Sequence, residues 1–217
     1  MTLVISGKAW LTFKEMQGSY IDLKNTLKKV PSRHGRLDGF SRLGLAAVGL
    51  TLEDAGKDEW ESKRDIGLIA SSRYGCLESD VDYYATVTAE DRALASPNLF
   101  AYTLPNCFIG EVSISYGLTG TNYVVMDDSS SQLNALKMAW DTLNWGESKA
   151  MVAGVLNRPC PESVESSLNL SHSALFFLLE ESSEAVKSYG RIEFKKERLY
   201  FNGQEVKDVE TLAKACM

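Results

Sequence analysis

The residues best suited to chemistry lie in VVMDDSSSQLNALKMAWDTLNWG, residues 124–146, where an apolar run gives way to aspartates and serines. A strand that leads into a helix through a tight turn is where many α/β proteins carry a nucleophile. A serine hydroxyl is weakly acidic and needs a neighbouring base before it can attack an acyl group. No histidine lies near Ser129 in the sequence, so the fold would have to supply that base from elsewhere.

The same stretch also fits the start of a helix. Ser129-x-x-Gln132 has the pattern of a capping box, in which each side chain satisfies a backbone N–H of the first turn. Asp127 and Asp128 would favour the positive end of the helix, each by about 0.3–1 kcal/mol. Asp128 is an alternative N-cap to Ser129. We favour capping, and we keep a nucleophilic Ser129 as the alternative.

Composition excludes several classes of function. The 217 residues are 44% hydrophobic and 24% charged, which is typical of a folded globular protein. A net charge of −6 without a basic patch argues against nucleic acid and against anionic membranes. No apolar run is long enough to span a bilayer, and MTLVISGKAW is not a signal peptide. We therefore expect a cytoplasmic protein.

Cysteine and histidine offer little for a metal site. The four cysteines show neither a CxxC pair nor metal-ligand spacing: Cys76, Cys107, Cys160 and Cys216. The two histidines are His34 and His172, too few for an ordinary zinc site. We expect free, mostly buried thiols in a reducing compartment, with no metal and no cofactor.

Strands and helices alternate through most of the chain. Strands are predicted at residues 3–13 (as one strand or a hairpin around Gly7), 64–72, 121–126, 149–155 and 173–181, with a hairpin at 191–203. Helices are predicted at 38–56, 77–93, 107–117, 129–145 and 208–216, and the segment around Pro97 and Pro105 is expected to be irregular. Residues 157–173, rich in Ser, Pro and Glu, are the expected surface loop. This alternation predicts helices packed on a largely parallel sheet.

A set of segments then matches one known pattern in order. They are Gly39–Gly56, Ser96-Pro97 with Phe100, Leu104-Pro105-Asn106, Gly110 with Val112-Ser113-Ile114, Tyr116–Gly120, Met151–Gly154, Ala174–Glu181 and Tyr189-Gly190-Arg191. Together they resemble the N-terminal half of the β-ketoacyl synthases, which have the thiolase fold. The resemblance covers roughly residues 1–203 and leaves a short helix in 204–217 outside it.

The resemblance implies an α/β fold in a single domain, residues 1–217. It implies one thiolase-like half, with a mixed, mostly parallel sheet of about five strands, the last antiparallel, and helices packed on it. In relatives two such halves pack face to face, and two chains pair through the N-terminal half. The family's activity is acyl transfer in fatty-acid or polyketide biosynthesis.

Two departures from the family pattern bear on activity. Ser129 aligns with the catalytic cysteine, and Asp127 and Asp128 replace the small residues before it. The family's two later histidine motifs have no counterpart. His172 is a candidate base for Ser129, although an exposed turn histidine is the interpretation we favour. The implied acyl-pocket and dimer-seam residues are Leu104, Asn106, Cys107 and Phe108, with ordinary core packing as an equal alternative.

These departures predict a catalytically inactive ketosynthase-like protein, similar to chain-length factors. A lone half should expose apolar surface, so we expect a homodimer or a heterodimer with a full-length ketosynthase. An isologous contact along the strand before Ser129 is the expected geometry, and an acyl carrier protein is a further candidate partner. The alternatives are a Ser129-dependent acyl hydrolase or acyltransferase, and a purely structural interaction domain.

Overall fold

The computed structural model of the chain describes residues 2–12, 21–30, 34–88, 95–158 and 174–217. Cys160, His172 and all but the first residues of the expected loop at 157–173 lie outside the described residues.

Eight strands of the described residues form one mixed sheet. They are β1 (Leu3–Leu11), β2 (Ile66–Ser72), β3 (Asn122–Met126), β4 (Ala150–Leu156), β5 (Ala174–Glu181), β6 (Gly190–Lys195), β7 (Arg198–Phe201) and β8 (Gln204–Val206). Their spatial order is β3-β2-β4-β5-β1-β6-β7-β8. Strand β2 pairs in parallel with β3 and β4, and the remaining pairings are antiparallel.

The α/β class, the mixed sheet and the reversed fifth strand are confirmed, since β1 to β4 run in one direction and β5 runs opposite to its neighbours β4 and β1. Only the strand count differs, because the sheet has eight strands where about five were expected. The hairpin at 191–203 extends the sheet, because β6 joins β1 through the short register Val4↔Arg191 and Ile5↔Gly190. Hydrophobic periodicity identifies a strand but not its direction, so the antiparallel direction of β5 was predicted from the family resemblance and not from the pattern. In the predicted stretch 3–13, Leu3–Leu11 form one strand, which is bulged between Ile5 and Gly7.

Seven α-helices lie within the described residues. They are α1 (Leu23–Thr26), α2 (Gly39–Asp54), α3 (Leu77–Thr88), α4 (Pro97–Ala101), α5 (Cys107–Tyr116), α6 (Asn134–Asn144) and α7 (Val209–Ala215). Helix α2 starts as predicted, because the Asp38 carboxylate accepts a hydrogen bond from the Ser41 N–H at 2.9 Å. Helix α5 ends as predicted at Gly117, whose φ of 64° is left-handed. The short α4 lies where irregular structure was expected.

The predicted start of α6 is wrong. We expected helix from Ser129, but the helix begins at Asn134. Gln132 adopts a φ of 52°, in the left-handed region, and this conformation interrupts any right-handed helix before that point. Residues 127–133 therefore form an irregular connection between β3 and α6, and the candidate nucleophile lies in this connection, before the helix.

Both faces of the central sheet are covered by helices. On one face, Leu68, Val152 and Phe176 pack in a core with residues of α2 and α5. Their sequence neighbours Ile69, Ala153 and Phe177 point the other way, into a core with α6, α7 and β6–β8. Strands buried on both faces read as continuous apolar runs, which is why β4 and β5 were recognisable from the sequence.

Neither a membrane span nor a metal cluster is found in the part of the chain that the structure describes. Its helices are all too short or too polar to cross a bilayer. Its His, Cys, Asp and Glu side chains form no group of three or more suited to holding a metal ion.

Candidate functional site

The candidate site lies where the parallel strands β2, β3 and β4 end side by side. Arg73 follows β2, the connection 127–133 follows β3, and Asn157 and Arg158 follow β4. Ligand sites of α/β proteins are usually found at the carboxyl ends of parallel strands, because the loops there converge. Ser129 therefore lies where the fold places reactive residues in related architectures.

Ser129 is held in a tight local turn. Its Oγ accepts a hydrogen bond from the Gln132 N–H at 3.2 Å and lies 3.4 Å from Ser131 Oγ. The predicted Ser129–Gln132 bond thus forms, but it closes a turn ahead of α6 instead of capping the helix. Leu133 is the N-cap residue of α6, and its side chain makes no capping bond.

The main-chain N–H of Ser129 already donates a hydrogen bond to a carboxylate. Asp127 Oδ1 accepts a hydrogen bond from the Ser129 N–H at 2.9 Å. Asp127 is only 3% exposed, and its Oδ2 has no hydrogen-bond partner among the described residues. Asp128 is exposed beside it. Nearby negative charge disfavours formation of another anion, so this environment opposes an alkoxide or a thiolate at position 129.

Arg73 joins the three loops, and sequence reasoning missed it. Its Nη2 lies 3.3 Å from the carbonyl oxygen of Asp128 and 3.5 Å from that of Ser129. Its backbone N–H donates to Asn157 Oδ1 at 2.9 Å. The available signal was that Arg73 is the first charged residue after the apolar strand β2.

A second arginine that the sequence analysis did not select lies after β4. The side chain of Arg158 is buried and donates through Nε and Nη2 to the Glu78 carboxylate, the latter bond being 3.1 Å long. Its guanidinium packs against Gly39, where any Cβ would collide with it. The pair connects the end of β4 to the starts of α2 and α3, which is a structural role.

The four predicted pocket residues have different surroundings. Phe108 is fully buried, and its ring meets that of Phe40 edge to face at 5.6 Å. Leu104 is 60% exposed. Asn106 is exposed at the start of α5, and the half-buried Cys107 donates from Sγ to the Ala101 carbonyl at 2.7 Å. Core packing is therefore what the structure describes for Phe108.

The start of α5 nevertheless adjoins the end of β3. Gly75, in the turn after β2, is bounded on both sides: a Cβ there would lie 2.9 Å from Pro105 Cγ and 3.8 Å from Met126 Sδ. Pro105 belongs to the predicted pocket segment, and Met126 directly precedes Asp127. The fold thus brings the segment 104–108 and the Ser129 loop to the same edge of the molecule.

Thiols and imidazoles supply no activated group in the described residues. Cys76, Cys107 and Cys216 are free thiols, as expected. Burial raises the pKa of Cys76 to about 12 and that of Cys216 to about 11, and burial also raises the pKa of Cys107. His34 lies in the turn before α2. Among the described residues, the hydrogen-bond partners of Ser129 are Asp127, Ser131 and Gln132, and none is a histidine.

A family model identifies the chain. Residues 12–191 match the model of the β-ketoacyl synthase N-terminal domain, well over half of the 217 residues. The chain belongs to the β-ketoacyl synthase family. The recognition made from the central SP, PN and YGLTG segments is thereby confirmed.

This β-ketoacyl synthase family member is similar in sequence to two curated enzymes. It is 30% identical over 134 residues to the 3-oxoacyl-[acyl-carrier-protein] synthase 2 of Rhizobium meliloti (strain 1021), covering 59% of this chain and 31% of that enzyme. It is 28% identical over 134 residues to the enzyme of the same name from Vibrio cholerae serotype O1, covering 61% and 32%. The chain thus spans about a third of the length of the curated relatives it matches.

Solved structures show the ketosynthase fold directly. The ishigamide ketosynthase/chain length factor superposes with a TM-score of 0.69 at 18% identity, over 88% of this chain and 66% of that one. A type II polyketide ketosynthase in complex with its acyl-carrier protein gives 0.68 at 16%, over 89% and 67%. The ApeO ketosynthase with its chain length factor ApeC, from Xenorhabdus doucetiae, gives 0.57 at 20%, over 83% and 79%.

Proposed function

We propose that this chain is a ketosynthase-like partner subunit of fatty-acid or polyketide-type biosynthesis, without condensing activity of its own. One observation supports this most strongly. Ser129, which the resemblance aligns with the family's nucleophile, accepts the Gln132 N–H at its Oγ, and its own N–H is bonded to the Asp127 carboxylate. The role is that of a chain-length-factor-like subunit located in the cytoplasm.

The chemistry of condensation explains why this arrangement is unsuited to catalysis. The reaction needs a nucleophile that ionises easily, and a serine hydroxyl does so only beside a base. It also needs hydrogen-bond donors that point at the oxyanion of the tetrahedral intermediate. The Ser129 N–H is already used by Asp127, and Asp127 and Asp128 would repel a malonyl carboxylate.

The partner in this proposal is a full-length ketosynthase. Related structures include ketosynthases assembled with chain length factors and a ketosynthase bound to an acyl-carrier protein. An acyl chain or a carrier protein would be bound by the assembled pair, with Leu104, Asn106 and Cys107 lying at the edge that also carries the Ser129 loop. Phe108 would contribute from the core beneath them.

The decisive experiment places a cysteine at position 129 and measures whether the chain then has condensing activity. We expect neither the natural chain nor Ser129→Cys to form a β-ketoacyl product from acyl and malonyl thioesters, because Asp127 still occupies the N–H of residue 129. Product is measured by mass spectrometry, with an active family member assayed in parallel. Condensation by either protein alone would overturn the proposal.

A second candidate function uses Ser129 as the nucleophile of an acyl hydrolase or acyltransferase. The observation that favours it is the half-buried Ser129 hydroxyl at the carboxyl ends of the parallel strands. Its base would be His172. Turnover of p-nitrophenyl esters that Ser129→Ala removes and Ser131→Ala retains would support this function, and equal rates in both variants would exclude it.

A third candidate is a purely structural interaction domain that binds no acyl group. It differs from the partner subunit in one measurable property. Native mass spectrometry of the chain co-purified with a ketosynthase should detect a bound acyl chain or carrier protein for the partner subunit, and neither for a structural domain.

A further inference from the structure

The carboxyl ends of β2, β3 and β4 place three polar side chains in one row. Continued past its last pairs, the strand register sets Asp127 beside Arg73, and Arg73 beside Asn157. Two bonds support this alignment: the Asp127 N–H donates to the Ser72 carbonyl at 2.9 Å, and the Arg73 N–H donates to Asn157 Oδ1 at 2.9 Å. Neighbouring strands lie about 4.8 Å apart, so each of the three side chains can reach the next one.

The three side chains also point to the same face of the sheet. Val125 and Val155 belong to the core that α6 and α7 cover. Side chains alternate along a strand, so Asp127 and Asn157, each two positions later, point toward that same core. Arg73 lies between them, and its guanidinium reaches the loop that follows β3. The carboxylate, the guanidinium and the amide are therefore neighbours on one face of the sheet.

Each of these side chains has one polar atom without a hydrogen-bond partner among the described residues. The three atoms are Asp127 Oδ2, Arg73 Nε and Asn157 Nδ2, and all are shielded from solvent. Asp127 is only 3% exposed and Asn157 only 1%. A buried polar atom without a partner costs free energy, and most buried polar atoms in folded proteins have one. One acceptor and two donors thus lie side by side, complementary to one another but unpaired.

The bond between Asp127 and Ser129 holds these complementary atoms apart. Asp127 Oδ1 accepts the Ser129 N–H at 2.9 Å, while Arg73 Nη2 lies 3.3 Å and 3.5 Å from two loop carbonyls, which is long for a charged donor. A rotation of the Asp127 side chain would exchange the Ser129 N–H for Arg73 Nε and Asn157 Nδ2. The exchange gains bonds for three buried atoms and gives up the bond of one half-buried N–H. Each arrangement therefore satisfies the groups that the other leaves unpaired.

We propose that the bond between Asp127 and Ser129 is a reversible autoinhibitory contact. In the closed arrangement, which the structure shows, the carboxylate covers the Ser129 N–H. In the open arrangement Asp127 turns to Arg73 and Asn157, and the Ser129 N–H becomes available to a carbonyl or carboxylate oxygen of a ligand. A ligand that needs this N–H binds only the open arrangement, so its apparent affinity falls with the open fraction. Opening supplies neither a nucleophile nor a base and needs no partner subunit, so the contact is independent of the proposed function.

Hydrogen exchange at the Ser129 N–H tests the contact, measured residue by residue by NMR of the isotope-labelled chain. The Ser41 N–H is the internal reference, because it is bonded to the Asp38 carboxylate at the same distance of 2.9 Å. We expect Arg73→Met to slow exchange at Ser129 at least ~tenfold relative to Ser41, because the open arrangement loses its charged donor. If Arg73 only supported the loop through its bonds to the two carbonyls, the same substitution would loosen the loop and make exchange faster.

Asp127→Asn provides a second, independent variant. Its amide oxygen can still accept the Ser129 N–H, but its amide nitrogen is a donor and cannot pair with the donors of Arg73 and Asn157, so exchange should again slow. The control Arg191→Met removes an exposed arginine of β6 and should leave exchange at Ser129 unchanged. Circular dichroism checks that each variant is folded. Slower exchange in both variants supports the inference, and unchanged or faster exchange in either one overturns it. Neither result touches the proposed inactivity, which the condensation assay tests separately.

Discussion

The side chain of Asp54 connects three separate parts of the fold through hydrogen bonds. Its carboxylate accepts hydrogen bonds from Lys187 Nζ at 2.6 Å, the Tyr189 hydroxyl at 2.9 Å and the Lys8 N–H at 2.9 Å. The end of α2 is thereby connected to β1 and to the turn before β6. Burial alone would raise the pKa of Asp54, but the bonds from Lys187, Lys8 and Tyr189 outweigh it and lower the pKa below its ordinary value of 3.8.

The lowered pKa fixes the direction of a pH effect. The ionised carboxylate stabilises the folded state fully above the unfolded pKa of 3.8, and this contribution is lost as the pH falls through the folded pKa. Asp54→Asn should therefore cost about 1 kcal/mol of unfolding free energy at neutral pH, a modest value because the ion pair is partly exposed. At about pH 3 the cost should be smaller.

Urea unfolding across this pH range makes the measurement, with Glu184→Gln as the control. Glu184 is exposed, and its backbone N–H bonds to the Glu181 carbonyl, so its substitution should leave the pH dependence unchanged. A loss for Asp54→Asn that is equally large in acid would show that the contribution is not electrostatic.

At the scale of elements, α7 performs a covering role that the family resemblance did not predict. The helix begins beside the candidate site, where the Val209 N–H donates to the Ser131 carbonyl at 3.0 Å. Val209, Leu212 and Ala213 are buried in the core that contains Ile69 and Phe177. The apolar surface expected of a lone half is thus partly covered on this face by α7.

Substituting the buried side of α7 should destabilise the fold. Leu212 is completely buried, so Leu212→Ala should reduce the unfolding free energy by about 2–5 kcal/mol. Thr211→Ala changes the exposed neighbour and should stay within about 0.5 kcal/mol of the natural chain. Guanidinium unfolding measures both. Equal stability of the two variants would mean that α7 contributes little to the core.

Element boundaries were predictable where a side chain or a glycine sets them. Asp38 and Gly117 gave the start of α2 and the end of α5 because capping is read within a few residues of sequence. The prediction for the start of α6 was wrong because Gln132 adopts a left-handed conformation, which the neighbouring residues in the sequence do not indicate. The extension of the sheet by β6–β8 was not predicted, because the pairing of β6 with β1 depends on contacts between residues distant in sequence.

At the scale of the whole molecule, two apolar cores share one sheet. Cys76 lies in the core with α2 and α5, and Cys216 lies in the core with α6 and α7. Both thiols have raised pKa values, to about 12 and about 11, because they are buried. Each thiol should therefore be unreactive while its core is folded and become reactive when that core unfolds.

Thiol labelling can test whether the two cores unfold together. In native buffer near neutral pH, Cys76 and Cys216 should react far more slowly than a free peptide thiol. With increasing urea both should become reactive at the same midpoint, because the central strands contribute to both cores. Peptide mass spectrometry separates the two sites. Reaction of Cys216 at a lower urea concentration would show that α7 detaches first.

The overall architecture was predictable because sequence motifs specific to one family persist. The candidate site was only partly predictable from the sequence. Ser129 and the two aspartates were recognised from local pattern, whereas Arg73 reaches the Ser129 loop from 55 residues away. Strand order alone creates that contact, and single-sequence periodicity carries no information on strand order.

The bond from the Ser129 N–H to Asp127 also has an evolutionary consequence. If position 129 held a cysteine in the family, as proposed, a mutation that restored it would meet the Asp127 carboxylate and a backbone N–H that is already hydrogen-bonded. Selection would then have no gain in activity on which to act. Asp127 would have to change first, which would leave the half-buried Ser129 N–H without its present acceptor. Under the proposed function, either order of these two substitutions passes through an intermediate with no gain in activity, so a reactive group at position 129 is hard to regain.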